Sequence, residues 1–154
     1  MARYFFDSSA AVKRYALETG STWITSLTDP SAGNVCFLAA ITRVEIVSAI
    51  HQKVRAAQLS LTDAQQAEQS FRSELGTHFH VVAITSAILD RAMDLVSVHP
   101  LRAYDTVQLS TALFLQTQST PLGLPSLTFI SADQALNQAA AAEGLLVDDP
   151  NHHP

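Results

Sequence analysis

Short runs of apolar, β-branched and aromatic residues alternate along this chain with stretches of helical period, and nothing else in the sequence restricts the fold as strongly. The runs are RYFF (3–6), VCFLAAI (35–41), FHVVAI (79–84), LTFI (127–130) and LLV (145–147). Between and after them, helical spacing covers about 8–18, 21–28, 42–57, 61–77, 85–98, 103–117 and 132–143. Strands and helices in turn are the pattern of an α/β domain with a mainly parallel sheet. Breakers mark the same divisions: TDPSAGN (28–34), HP (99–100) and TPLGLPS (120–126). No repeat and no long linker splits the chain, so residues 1–148 are expected to form one domain, with 149–154 a flexible C-terminal tail.

At 154 residues, 47% of them hydrophobic, the chain can bury a real core. Cys36 is the only cysteine and lies within an apolar run, which argues for a core residue and against disulfides or a cysteine metal site. No window approaches the roughly 20 apolar residues that span a bilayer. The opening MARYFFDSS lacks the apolar core of a signal peptide, so a cytosolic protein without a membrane partner is expected. A net charge of −5 argues against a broad basic face for nucleic acid, but leaves room for a basic rim around a metal-loaded acidic site.

Three acids stand at strand-to-helix turns: Asp7 in FFDSSAAV, Glu45 in ITRVEIV and Asp133 in FISADQAL. In a parallel sheet all three belong at the carboxyl edge of the strands, where open α/β sheets bind ligands. Each also has a plainer reading. Asp7 suits a helix N-cap, Thr42-x-x-Glu45 and Ser131-x-x-Gln134 fit capping boxes, and the charge of Asp133 suits a positive helix end. Glu45 also falls on a small mixed face with Ala49, Gln52 and Ala56, where it could be merely exposed. Asp105, in LRAYDTVQLSTAL, resists the capping account: on a helix it heads an apolar stripe of Leu109, Ala112 and Leu113, and a desolvated carboxylate needs a partner. If the four acids converged they would raise one another's pKa values unless a cation lay among them. Oxygen ligands without cysteine or paired histidine favour Mg2+ or Mn2+ over zinc. The neighbouring histidines of the terminal PNHHP make only a weak site.

The series YFFDSSAAVKRY, ITRVEIVSAI, LRAYDTVQLSTAL and TFISADQALNQAA resembles, in order and separation, the PIN-domain ribonucleases, and among them the VapC-like toxins of bacterial toxin–antitoxin pairs. The resemblance runs through essentially the whole chain. It implies a PIN-like three-layer sandwich, a parallel sheet of about five strands flanked by helices, with Asp7, Glu45, Asp105 and Asp133 gathered at the carboxyl edge around Mg2+ or Mn2+. Ser9 matches a hydroxyl that orders the site. The chain departs from the family in YDTVQLSTA, where alanine more often follows the aspartate and histidine stands near Gln108.

The resemblance further implies endonucleolytic cleavage of structured RNA such as transfer or ribosomal RNA. Asp7 and Asp105 are the expected direct metal ligands, with Glu45 a ligand or the base for the attacking water and Asp133 completing the site. Lys13, Arg14, Arg43 and Arg102 lie near the motifs as candidate phosphate contacts. The implied partners are a cognate antitoxin that covers the cleft and a second toxin copy in a homodimer. The stripes Val47/Ile50/Val54 and Ala67/Phe71/Leu75, and Trp23, suit either such contacts or the core. Two other readings stay open: a phosphatase or phosphotransferase with Asp7 as nucleophile, though Ser9 stands where that chemistry usually wants a second acid, and a non-catalytic binding module whose acids are only caps.

Overall fold

The computed structural model describes all 154 residues. Five strands, β1 (Arg3–Phe6), β2 (Val35–Ala39), β3 (His80–Val82), β4 (Leu127–Ile130) and β5 (Leu146–Asp148), form one sheet in the order β3-β2-β1-β4-β5. Every pairing is parallel. Seven helices accompany them: α1 (Ser8–Ala11), α2 (Ser21–Thr28), α3 (Thr42–Arg55), α4 (Leu61–Glu74), α5 (Ser86–Val98), α6 (Ala103–Ser119) and α7 (Gln134–Ala142).

Adjacent strand residues point to opposite faces, so the three inner strands divide their side chains between two cores. Phe6, Leu38 and Ile130 pack with Ile24, Ile46, Ile50 and Phe71 on the side of α2, α3 and α4. Phe5, Ala39 and Phe129 pack with Leu95, Leu109, Leu113 and Leu136 on the side of α5, α6 and α7. The result is three layers, helices over both faces of a parallel sheet, as expected. Cys36 is buried in the first core, and the stripes of α3 and α4 are spent there too, Ile50 and Phe71 fully and Val47, Val54, Ala67 and Leu75 in part. The chain order reverses between β1 and β4, which opens a crevice at their carboxyl ends.

Two stretches differ from their sequence reading. Helix was expected over 8–18, but α1 stops at Ala11 and continues only as a 3-10 turn over Val12–Arg14. Lys13 is pulled inward there, its Nζ donating to Glu18 Oε2, Thr19 O and Asn151 Oδ1. The end of the chain, expected as a loose tail, is laid against α2. Pro150–His152 forms a 3-10 turn with Pro150 buried, and the His153 ring stacks on Trp23 at 3.8 Å. Gly20 permits this approach: its φ is +87°, and a Cβ there would lie 2.2 Å from the Pro150 carbonyl oxygen. No helix is long and apolar enough to cross a membrane.

Candidate active site

Asp7 leaves β1 and caps α1, its Oδ1 accepting the Ala10 N–H at 2.9 Å. Asp7 is buried, with a relative exposure of 3%. Ser9 Oγ lies 2.8 Å from Oδ1 and 2.9 Å from Oδ2, and Ser131 Oγ donates to Oδ2 at 2.8 Å. Both serines are themselves held by the turn after β4: Ala132 N–H donates to Ser9 Oγ, and Asp133 N–H to Ser131 Oγ. Asp7 thus sits in a cradle of hydroxyls at the switch point of the sheet. Burial pushes its pKa up to about 7, against the opposing hydrogen bonds, and the charge of Asp105 adds to the rise.

Glu45 lies in the first turn of α3, but no capping box forms. The cap position is Ile41, which makes no side-chain bond. Glu45 instead reaches across to other elements: Ser8 Oγ donates to Oε2 at 3.1 Å and Gln108 Nε2 to Oε1 at 2.6 Å. Gln108, buried in α6, gives its second amide hydrogen to Thr42 Oγ1 at 2.7 Å. Its Oε1 is buried without a partner. Asp133 is exposed and caps α7 by accepting from Leu136 N at 3.1 Å, so Gln134 closes no box there either.

Asp105 opens α6 half-buried, and burial raises its pKa, followed by the charge of Asp133; Arg102 acts the other way, and no hydrogen bond to the carboxylate contributes. Burial is the main cause that raises Asp7 and Glu45, and the charge of Asp105 adds to both. Asp105 therefore links the acids: its charge acts on Asp7 and Glu45, and the charge of Asp133 acts on it.

The candidate phosphate contacts scatter. Arg102 is exposed beside Asp105, and Arg43 is exposed at the start of α3. Lys13 is buried in its own bonds. Arg14 is drawn away from the acidic edge: it forms a two-pronged pair with Glu74 at 2.7 and 3.1 Å and donates to Thr28, so its placement is that of a strut between the 3-10 turn, α2 and α4. Sequence reasoning singled out neither Ser131 nor Gln108 as a site residue. Ser131 stands two places before Asp133, the one local signal available.

Asp7, Glu45 and Asp105 have carboxyls pushed up by burial and by a neighbouring acid, Asp133 stands beside them, and with no cysteine or histidine among the four they have the donor chemistry of a hard divalent cation. A finished cage is not built: no three His, Cys, Asp or Glu side chains are grouped closely enough to hold an ion.

No family model matches the sequence, and no curated protein does. Solved structures do match in shape. FitAcB from Neisseria gonorrhoeae is 16% identical with a TM-score of 0.65, covering 97% of this chain and 99% of that one. A toxin-antitoxin complex from Klebsiella pneumoniae is 17% identical with a TM-score of 0.61, covering 96% and 97%. VapBC2 from Rickettsia felis, bound to a DNA fragment from their promoter, is 9% identical with a TM-score of 0.62, covering 95% and 97%. The all-parallel sheet with helices over both faces makes this a three-layer α/β protein, with acids at the switch point of its strand order. More particularly, it has the PIN-like fold that its motif series implied.

Proposed function

We propose that this protein is a metal-dependent endoribonuclease, a VapC-like toxin held in check by a cognate antitoxin. The observation that carries the reading is Asp105: a half-buried carboxylate without a hydrogen bond, at the carboxyl edge, within electrostatic reach of Asp7, Glu45 and Asp133. A helix cap has no use for that arrangement. Support for the toxin role comes from the fold, which is shared over nearly the whole chain with a solved toxin-antitoxin complex.

Asp7 and Asp105 would hold Mg2+ or Mn2+, with Glu45 and Asp133 completing the set. When bound, such an ion lowers the pKa of a coordinated water and neutralises charge on the phosphodiester. The chain's own residues then do the positioning. Ser9 and Ser131 fix Asp7, and Gln108 and Ser8 fix Glu45, so neither carboxylate reorganises as the reaction proceeds. Glu45 would orient the attacking water and take its proton; the water oxygen bonds to phosphorus, the P–O ester bond breaks, and the leaving oxygen takes up a proton from solvent. Arg102 and Arg43 flank the edge as exposed cations for the substrate backbone.

The alternatives fare worse on the same geometry. The phosphotransferase reading lacks its second acid: Ser9 stands two places after Asp7, where that chemistry usually wants a carboxylate, and its hydroxyl is bonded to Asp7 itself. Asp7 and Asp133 do cap helices, but Glu45 and Asp105 do not, so a module of caps leaves two acids unexplained. The partners of this reading are structured RNA, the antitoxin and a second copy of the chain.

The deciding experiment incubates wild-type protein and Asp105→Asn, freed of any antitoxin, with end-labelled transfer RNA and ribosomal RNA in Mg2+, Mn2+ or EDTA. Cutting by wild type alone, and only with metal, is expected. No cutting of either RNA, with no metal binding by calorimetry, would sink the proposal.

A further inference from the structure

A cleft of about 490 Å3 lies between the Val12–Arg14 turn, the second half of α3 and the turn after β4. Ser9 and Ala132 line it where it meets the acidic centre, and these two are bonded to each other at 2.9 Å beside Asp7. Lys13, Glu18, Gln52 and Lys53 line the rest. Glu18 takes both lysines, Oε2 from Lys13 Nζ at 3.1 Å and Oε1 from Lys53 Nζ.

The two lysines are not equivalent. Lys13 spends its hydrogens on Glu18, Thr19 O and Asn151 Oδ1 and is only 5% exposed, so it cannot leave. Lys53 is 24% exposed and tied to Glu18 alone. Two cations share one carboxylate, which leaves the cleft positive beside an edge carrying four acids, on a chain whose net charge is −5. A polyanion laid across that edge is repelled by the acids, and besides the exposed Arg102 and Arg43 this cleft supplies opposite charge next to them, on the side of Asp7.

We propose that the cleft is a nucleotide subsite, in which Lys53 takes the phosphate next to the scissile linkage, Lys13 backs it as a fixed charge, and the Gln52 amide meets the sugar or base. Glu18 occupies the lysines until RNA arrives. The inference rests on the endoribonuclease reading. It differs from a purely structural ion triad in one respect: removing the carboxylate and removing the lysine have opposite effects on RNA binding.

The test measures binding of a fluorescein-labelled 12-nucleotide single-stranded RNA of mixed sequence, by anisotropy in Mg2+, to protein carrying Asp105→Asn so that nothing is cut. Lys53→Gln is expected to weaken binding about tenfold and to lower the slope of log K against log salt by about 0.7, the value for one single-strand phosphate contact. Lys53→Arg should restore both, and Glu18→Gln should tighten binding several-fold. Melting curves establish that each variant is folded. RNA bound by the parent with an unchanged salt slope in Lys53→Gln, or no tightening in Glu18→Gln, overturns the subsite while leaving the nuclease reading intact. RNA bound by no variant, with no cutting by wild type, overturns both.

Discussion

Asp7 carries a negative charge that its surroundings solvate with hydroxyls and one N–H but not with a cation. With its native pKa near 7, above the ordinary 3.8, the folded state keeps a proton that the unfolded chain releases between those values. Stability therefore falls as pH rises from about 4 to about 7, the reverse of a salt-bridged aspartate. In EDTA, Asp7→Asn should melt at least about 3 °C above wild type at pH 8, the displacement expected for roughly 1 kcal/mol in a domain of this size. At pH 5 the two should converge; a lower melting point for the variant at both pH values would show that the carboxylate is comfortably solvated. Asp133→Ala should behave as a cap loss, costing about 1 kcal/mol in denaturant melts. At this scale the sequence was legible where the partner is local. The bond from the Ala10 N–H to Asp7 spans three residues, and the cap could be read directly. Ser131 reaches Asp7 across 124 residues and Gln108 reaches Glu45 across 63, and no spacing rule predicts such pairs.

Among the elements, strong periodicity gave the right answer wherever a helix has a continuous apolar face against the sheet. Helices α5 and α6 start and stop within about two residues of their expected limits. The helix expected over 8–18 failed because its second half is organised by a buried lysine and by a distant chain segment, neither visible as a period. That region yields a sharp prediction at Gly20, where the left-handed backbone and the Pro150 carbonyl leave no room for a side chain. Gly20→Ala should cost more than about 1 kcal/mol, the strain of αL backbone alone, and should lift the end of the chain off α2. Trp23 fluorescence reports this, because its indole is stacked on His153. An unchanged emission spectrum with unchanged melting would contradict the packing.

For the molecule as a whole, the fold class and the order of the acids could be read from the sequence, but their convergence could not: β4 inserts between β1 and β5, and only that topology brings Asp133 beside Asp7. The proposed ion should make itself felt globally. At about a hundredfold excess over its dissociation constant, Mg2+ should stabilise the wild type by about 2.7 kcal/mol through mass action. Asp105→Asn should lose most of that gain yet melt above wild type in EDTA, where a repulsive charge has been removed. Melting points that respond identically to Mg2+ in both proteins would place the ion elsewhere. The same insertion of β4 also sets a clock on biosynthesis. Asp7 emerges early, and the serine that completes its cradle is 124 residues behind it. At about 5–20 residues per second a ribosome takes roughly 6–25 seconds to cover that interval. A nascent chain holding Asp7, Glu45 and Asp105 still lacks β4, the strand beside β1 that carries Asp133 to them, so translation itself withholds the assembled centre until the late part of the chain has been made.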